Sequence, residues 1–63
     1  GDMKLRSYGP YLYVDIAIVV EDEPTVIEGH KIAVRVKEKI IDNNDRVQEV
    51  MVHVDPEQAY YSN

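Results

Sequence analysis

The feature that most constrains this chain is a pair of β-branched apolar runs separated by one helical pattern. The first run, YLYVDIAIVV (residues 11–20), and the second, VQEVMVHV (47–54), are rich in residues that favour strands. Between them, Thr25 and Glu28 hold the two positions of a capping box, which predicts a helix over residues 26–41. A strand-helix-strand unit is nearly always a right-handed crossover, so we expect these two strands to be parallel.

A third, shorter strand is expected ahead of this unit. Residues 3–8 alternate weakly, and Gly9-Pro10 is a turn signal, so a hairpin should pair this strand antiparallel to the next one. The predicted fold class is therefore α+β: a β-β-α-β chain with a three-stranded mixed sheet and one helix on one face. We expect a single domain over residues 1–63, in which Gly1-Asp2-Met3 is typical of a remnant left by cloning.

The same patterns assign the faces and ends of the elements. The expected core consists of alternating strand residues and one apolar stripe of the helix: Leu12, Val14, Ile16, Ile18, Val20, Val50, Val52 and Val54, with Gly29, Ala33, Val36 and Ile40 flanked by Val26 and Ile32. Residues 42–45, DNND, should end the helix through an asparagine in the left-handed conformation. Pro56 should end the last strand, and the rest, including Tyr60 and Tyr61, is predicted to be a tail.

The other face of the predicted sheet has no covering element in this chain. It should carry tyrosines, a methionine and several polar side chains: Tyr11, Tyr13, Asp15, Ala17, Met51, His53 and Asp55. An apolar patch left in water often marks a protein interface. We therefore expect a partner on this face.

Composition removes several classes of function. The 63 residues contain no cysteine, which excludes disulfides and thiolate metal sites. The net charge of −5 argues against binding to a nucleic-acid backbone, which needs clustered Lys and Arg. No nucleophile–base set and no Gly-rich phosphate loop is present, so an enzyme is not expected. No apolar run approaches the ~20 residues that span a bilayer.

Three side chains are candidate metal ligands. His53 and Asp55 lie two apart on one strand face, and imidazole and carboxylate are good ligands for a divalent cation such as Zn²⁺. The alternative is a solvated strand end. His30, in the first turns of the helix, is either a third ligand or a partly buried histidine bonded to the backbone.

Residues 9–56 carry three motifs in order: GPYLYVDIAIV, the helix segment GHKIA after an acidic turn, and the closing VMVHVDP. Together they resemble the C-terminal cytoplasmic domain of cation diffusion facilitator transporters. The corresponding family patterns are G-P-x-x-Y-V-D-x-H-I-x-V, A-H-x-I-A and V-x-V-H-x-D-P.

The resemblance implies a ferredoxin-like, metallochaperone-like fold at the cytoplasmic face of a membrane. It implies attachment to the transmembrane domain of an antiporter for zinc or a related divalent metal. It also implies a V-shaped homodimer that meets through the sheet side, with cytoplasmic metal around the interface tightening the pair and regulating transport.

The resemblance assigns ligands residue by residue. His53 and Asp55 match the closing H-x-D, and His30 matches the helix histidine. Ala17 stands where many members have a strand histidine, so one ligand is absent. Asp15 matches the V-D pair, either as a structural residue or as a weak substitute ligand. The helix that ordinarily precedes the first strand is also missing, which indicates a fragment or a shortened variant.

The sequence thus predicts a cytoplasmic regulatory and homodimerisation domain that binds Zn²⁺, or Mn²⁺, Fe²⁺ or Co²⁺, through His30, His53 and Asp55. The alternative is a metal-independent interaction module whose metal site has decayed at Ala17. A small-molecule-binding regulatory domain of ferredoxin-like shape rests on fold analogy alone.

Overall fold

The computed structural model describes residues 2–58; Gly1 and residues 59–63, with Tyr60 and Tyr61 of the predicted tail, lie outside the described residues. The elements are β1 (Met3–Tyr8), β2 (Tyr11–Val20), α1 (Val26–Asp42) and β3 (Val47–Pro56). The predicted β-β-α-β order is confirmed.

The three strands form one sheet in the order β1-β2-β3. β1 pairs antiparallel with β2, and β2 pairs parallel with β3, as the hairpin and the crossover require. Tyr8 pairs with Tyr11, so Gly9 and Pro10 alone form the hairpin loop. Gly9 has a φ of 59°, in the left-handed region that tight hairpin turns need at the first loop position.

A complete capping box begins α1. The Thr25 hydroxyl accepts from the Glu28 backbone N–H at 3.1 Å, and the Glu28 carboxylate accepts from the Thr25 backbone N–H at 2.9 Å. These bonds, first the one to the Thr25 backbone and then the one to its hydroxyl, hold the pKa of Glu28 below its ordinary value. The predicted start of the helix is therefore correct, and its cause is the cap.

The end of α1 differs from the prediction in its conformation. Asn43 is the C-cap, but its φ is −99°, and no residue other than glycine has a positive φ in the described part of the chain. The Asn43 side-chain amide instead donates to the Lys39 carbonyl at 2.7 Å. That bond satisfies a carbonyl at the helix end directly, so the left-handed turn is not needed.

The core is small. Val14, Val47 and Val50 are the buried apolar residues, and five half-buried neighbours pack on them: Leu12, Ile16, Ile40, Ile41 and Val52. Because α1 packs along β3, it covers one face of the sheet only. The predicted faces of both long strands are confirmed.

Val47 is buried in the core, although strict alternation along β3 from Val50 would place it on the opposite face of the sheet. Val47 pairs with Leu12 and Glu49 pairs with Tyr13, so Gln48 is an extra residue in the ladder. This irregularity turns Val47 toward the helix, because a bulge shifts the alternation by one position.

The predicted core position of Val26 is wrong. Val26 is 90% exposed, because it is the first residue of α1, whereas the helix reaches the core through Ile40 and Ile41 in its last turns. None of the helices within residues 2–58 is long and apolar enough to cross a membrane.

The Gly9 conformation predicts a clear cost for a side chain. Gly9→Ala should lower the free energy of unfolding by about 1–2 kcal/mol, since an L-residue resists the left-handed region. A Cβ at Gly9 meets no atom within 4 Å, so the cost belongs to the backbone. The measurement is urea denaturation followed by circular dichroism.

Gly29→Ala is the control for this prediction. Its Cβ would meet Pro24 Cγ at 3.7 Å, an ordinary contact, within a helix. It should stabilise the fold by about 0.5–1 kcal/mol. Equal destabilisation by both substitutions would contradict the assigned role of the turn.

The capping box predicts a specific dependence of stability on pH. Because folding lowers the pKa of Glu28, its contribution is present above the ordinary value of 4.5 and is lost as the pH falls through the folded value. Glu28→Gln should therefore destabilise the fold at neutral pH, and the difference from wild type should shrink under acid conditions. Glu38→Gln, which removes an equal charge outside the cap, should leave no such pH-dependent difference in urea denaturation.

Candidate metal centre and dimer face

The candidate site lies on the side of the sheet that α1 leaves uncovered. We call it the open face; its residues are Lys4, Arg6 and Tyr8 of β1, Tyr11, Tyr13, Asp15 and Ala17 of β2, and Glu49, Met51, His53 and Asp55 of β3. Tyr8, Tyr11 and Met51 each expose half or more of their surface. Within the part of the chain that the structure describes, the open face is therefore amphipathic and uncovered.

An imidazole and a carboxylate meet at the centre of this face. His53 Nε2 lies 3.1 Å from Asp15 Oδ1, and about half of each side chain is exposed. His53 is directly opposite Ala17, while Asp15 is opposite Met51, so the pair is diagonal across the ladder. Diagonal neighbours are within reach of long side chains, and the small Ala17 leaves room for the imidazole to lean toward Asp15.

Asp55 extends the same face beyond His53. It lies opposite Val19 near the end of β3 and is half-buried. By strand alternation its side chain shares the face of His53. His53 and Asp55 thus occupy the predicted face, with Asp15 as a third polar residue beside them.

His30 lies apart from this group. It is exposed on α1, where it borders a shallow groove with Lys31, Val34, Arg35 and Glu38. Within residues 2–58, no group of three or more His, Asp or Glu side chains is arranged to hold a metal ion. The described chain therefore brings Asp15 to His53 and does not gather His30, His53 and Asp55 into one cluster.

Asp15 is the residue that the structure adds to the three predicted candidate ligands, through its contact with His53. The strand register is the feature that identifies Asp15. The parallel pairing sets Ala17 opposite His53, so Asp15, two positions before Ala17, is the diagonal neighbour of the imidazole. The Asp15 carboxylate therefore lies beside Ala17 on the same face of β2, within reach of the imidazole.

Aromatic and charged side chains lie on the open face between the His53–Asp15 pair and the β1–β2 hairpin. Tyr8 and Tyr13 form an edge-to-face pair with centroids 5.1 Å apart. Next to them is a shallow hollow of ≈150 Å³ whose rim includes Lys4 and Arg6 on the β1 side and Glu49 on the β3 side. Glu49 also has a loose, solvated contact with Lys37 Nζ at 3.7 Å.

Comparison with known proteins assigns the chain to a family. Residues 1–57 match the family described as the cytoplasmic domain of cation efflux proteins. The chain belongs to this cation efflux family. It is the cytoplasmic C-terminal domain of a cation diffusion facilitator, a part of a transporter and not an enzyme.

Individual relatives agree with this assignment. The chain is 39% identical over 56 residues to the uncharacterized transporter YdbO of Bacillus subtilis, with coverage of 89% of this chain and 19% of YdbO. It is 30% identical over 54 residues to the manganese efflux system protein MneP of the same organism, with coverage of 86% and 18%. This domain thus spans about a fifth of the length of these relatives.

A solved structure has the same fold. The metal-bound C-terminal domain of the CzcD transporter from Thermotoga maritima superposes with a TM-score of 0.82 at 21% identity. The match covers 89% of this chain and 65% of that domain. At this identity the likeness supports the fold alone, and it agrees with the predicted β-β-α-β chain with a three-stranded mixed sheet and one helix.

Proposed function

We propose that this cation efflux domain forms a homodimer through its open face and binds a divalent cation there, so that cytoplasmic metal regulates the attached transporter. The observation that carries the proposal is the His53–Asp15 pair, 3.1 Å apart on a sheet face that the chain leaves uncovered. The proposed ligands are His53 and Asp55 from the closing motif and His30 from the helix, with Asp15 added by its contact.

The donor set fits a cation of the zinc and manganese type. Neutral imidazole and carboxylate suit Zn²⁺, Mn²⁺, Fe²⁺ and Co²⁺, and the choice among them follows geometry and availability. A structural Zn²⁺ site takes four ligands, more than the His53–Asp15 pair supplies. The missing ligands would come from a second copy, from His30 or Asp55, or from water.

Dimerisation and metal binding then support each other. A cation that binds the dimer better than the monomer stabilises the dimer by mass action. Because histidine binds metal only when it is deprotonated, the metal affinity should fall as the pH is lowered. The apolar residues Tyr8, Tyr11 and Met51 supply surface that a second copy would remove from water.

Two relatives are consistent with this proposal. MneP is named as a manganese efflux protein, and the CzcD domain was solved with metal bound. These properties belong to MneP and to the CzcD domain. For this chain, metal binding and its ligands are proposed.

Zinc titration tests the ligands directly. His53→Ala should weaken Zn²⁺ binding at least tenfold in isothermal titration calorimetry, because it removes the imidazole. Asp15→Asn should also weaken binding, since it removes the adjacent negative charge. Ala17→His, which restores a donor opposite His53, should strengthen it.

Asp22→Asn in the exposed acidic loop is the matched control for charge and should leave the affinity unchanged. His30→Ala and Asp55→Asn then decide whether those residues contribute ligands. Negligible heats of Zn²⁺ binding for both wild type and Ala17→His would contradict the proposed metal binding. They would not affect the proposed homodimer.

The second candidate function is an interaction module that dimerises without metal. Two observations favour it: Ala17 lies opposite His53, and the described residues contain no complete metal cluster. Sedimentation with and without chelator separates the two. Metal sensing requires the dimer dissociation constant to rise when chelator is added, whereas an interaction module gives the same constant in both conditions.

A further inference from the structure

β1 is an edge strand of the sheet, and its outer side has no partner strand among residues 2–58. Every residue of β1 is exposed, because α1 packs along β3 at the opposite side of the sheet. The register with β2 runs from Met3 to Tyr8 without a bulge, and the strand contains no proline. An uninterrupted edge of this kind is a template for a further strand.

The hairpin determines which backbone groups of β1 point away from β2. Tyr8 and Tyr11 flank a two-residue loop, which makes them a hydrogen-bonded pair of the antiparallel ladder. Hydrogen-bonded and non-hydrogen-bonded pairs alternate from there, and the Ala17 N–H accordingly donates to the Asp2 carbonyl at 2.8 Å. The even-numbered residues of β1 therefore bond to β2. The N–H and C=O groups of the others point outward: Met3, Leu5 and Ser7.

Apolar and basic side chains alternate along this outer edge. Met3 and Leu5, on the side of the sheet that α1 partly covers, are 59% and 57% exposed. Lys4 and Arg6 lie on the open face, and among residues 2–58 neither has a carboxylate within ion-pair distance. A strand added here would therefore meet apolar side chains on one face and positive charges on the other.

From these features we propose that the outer edge of β1 binds an extended segment of another protein in which apolar and acidic residues alternate. The segment adds one strand to the sheet, a recognition mode in which main-chain bonds give affinity and alternate side chains give specificity. Its apolar side chains pack beside Met3 and Leu5. Its carboxylates lie opposite Lys4 and Arg6, where opposite charges stabilise the pairing.

The same charges disfavour a second copy of the chain at this edge. If β1 paired antiparallel with its own copy about Leu5, Lys4 would lie directly opposite Arg6 of the partner subunit, twice. Like charges at opposed positions destabilise strand pairing, and basic side chains protect natural edge strands from self-association in this way. An acidic segment turns both contacts into attractions, so the charge on β1 selects the occupant.

A short synthetic peptide in which valine and glutamate alternate is the probe for this edge. In NMR of the isotope-labelled chain, the peptide should slow hydrogen exchange at the Leu5 and Ser7 N–H groups, because they gain hydrogen bonds. The N–H groups of Arg6 and Tyr8 should change little, since they already bond to β2. A matching peptide with lysine in place of glutamate should bind about tenfold more weakly.

Charge reversal on β1 tests the selection of an acidic partner. The double variant Lys4→Glu/Arg6→Glu should lose about tenfold in affinity for the valine–glutamate peptide and gain a similar factor for the valine–lysine peptide. The gain shows that the variant is folded. The control Lys31→Glu/Arg35→Glu makes the same change of charge on the exposed side of α1 and should leave both affinities unchanged.

N-methylated peptides test the backbone pairing itself. In the proposed complex the valine N–H groups bond to β1, whereas the glutamate N–H groups point away from it. N-methylation of the valines should therefore abolish binding, and N-methylation of the glutamates should preserve it.

New protection at Leu5 and Ser7, together with the reversed peptide preference of the double variant, supports the proposal. It is overturned if the valine–glutamate peptide does not bind, if the two methylation patterns act equally, or if the amide shifts are confined to α1. Slow exchange at Leu5 and Ser7 before peptide is added also overturns it, because a second copy or residues outside 2–58 then occupy the edge. Strand addition requires neither the proposed homodimer nor the proposed metal, so its failure leaves both standing.

Discussion

The parallel pairing of β2 with β3 is the constraint on which the rest of the structure depends. A parallel pair requires a crossover, and in this chain the crossover is the single helix α1. One helix covers one face of the sheet, and among residues 2–58 the buried apolar residues are Val14, Val47 and Val50. A core this small gives the domain little stability of its own. The other sheet face is not covered by any of these described residues.

The same pairing determines the chemistry of the open face. Its register brings Asp15 to His53 across the position of Ala17, and it arranges Lys4 and Arg6 on one side with Glu49 on the other. In the proposed homodimer, a second copy on this face covers the exposed aromatic and methionine surface and supplies further ligands to the proposed metal site. Both proposed roles concern one surface.

Ala17 separates what the fold requires from what the proposed metal site requires. The sheet and crossover are those of the CzcD domain, with a TM-score of 0.82, although only 21% of the aligned residues are identical. The position opposite His53 carries a methyl group, and the nearest carboxylate is contributed two residues earlier along β2. Backbone pairing depends on strand geometry, whereas metal affinity depends on which donor atoms converge.

Local patterns in the sequence were sufficient for the elements, their order and the parallel crossover. Alternation, the Thr25–Glu28 cap and the Gly9-Pro10 turn act over a few residues, so they can be read from the chain. The tertiary structure alone decided the bulge that buries Val47, the exposure of Val26 and the contact between Asp15 and His53. The bulge and the contact depend on how strands distant in sequence are aligned, and a shift of one residue in that alignment reverses which side chains share a face. The exposure of Val26 depends on where the helix meets the sheet, which is through Ile40 and Ile41.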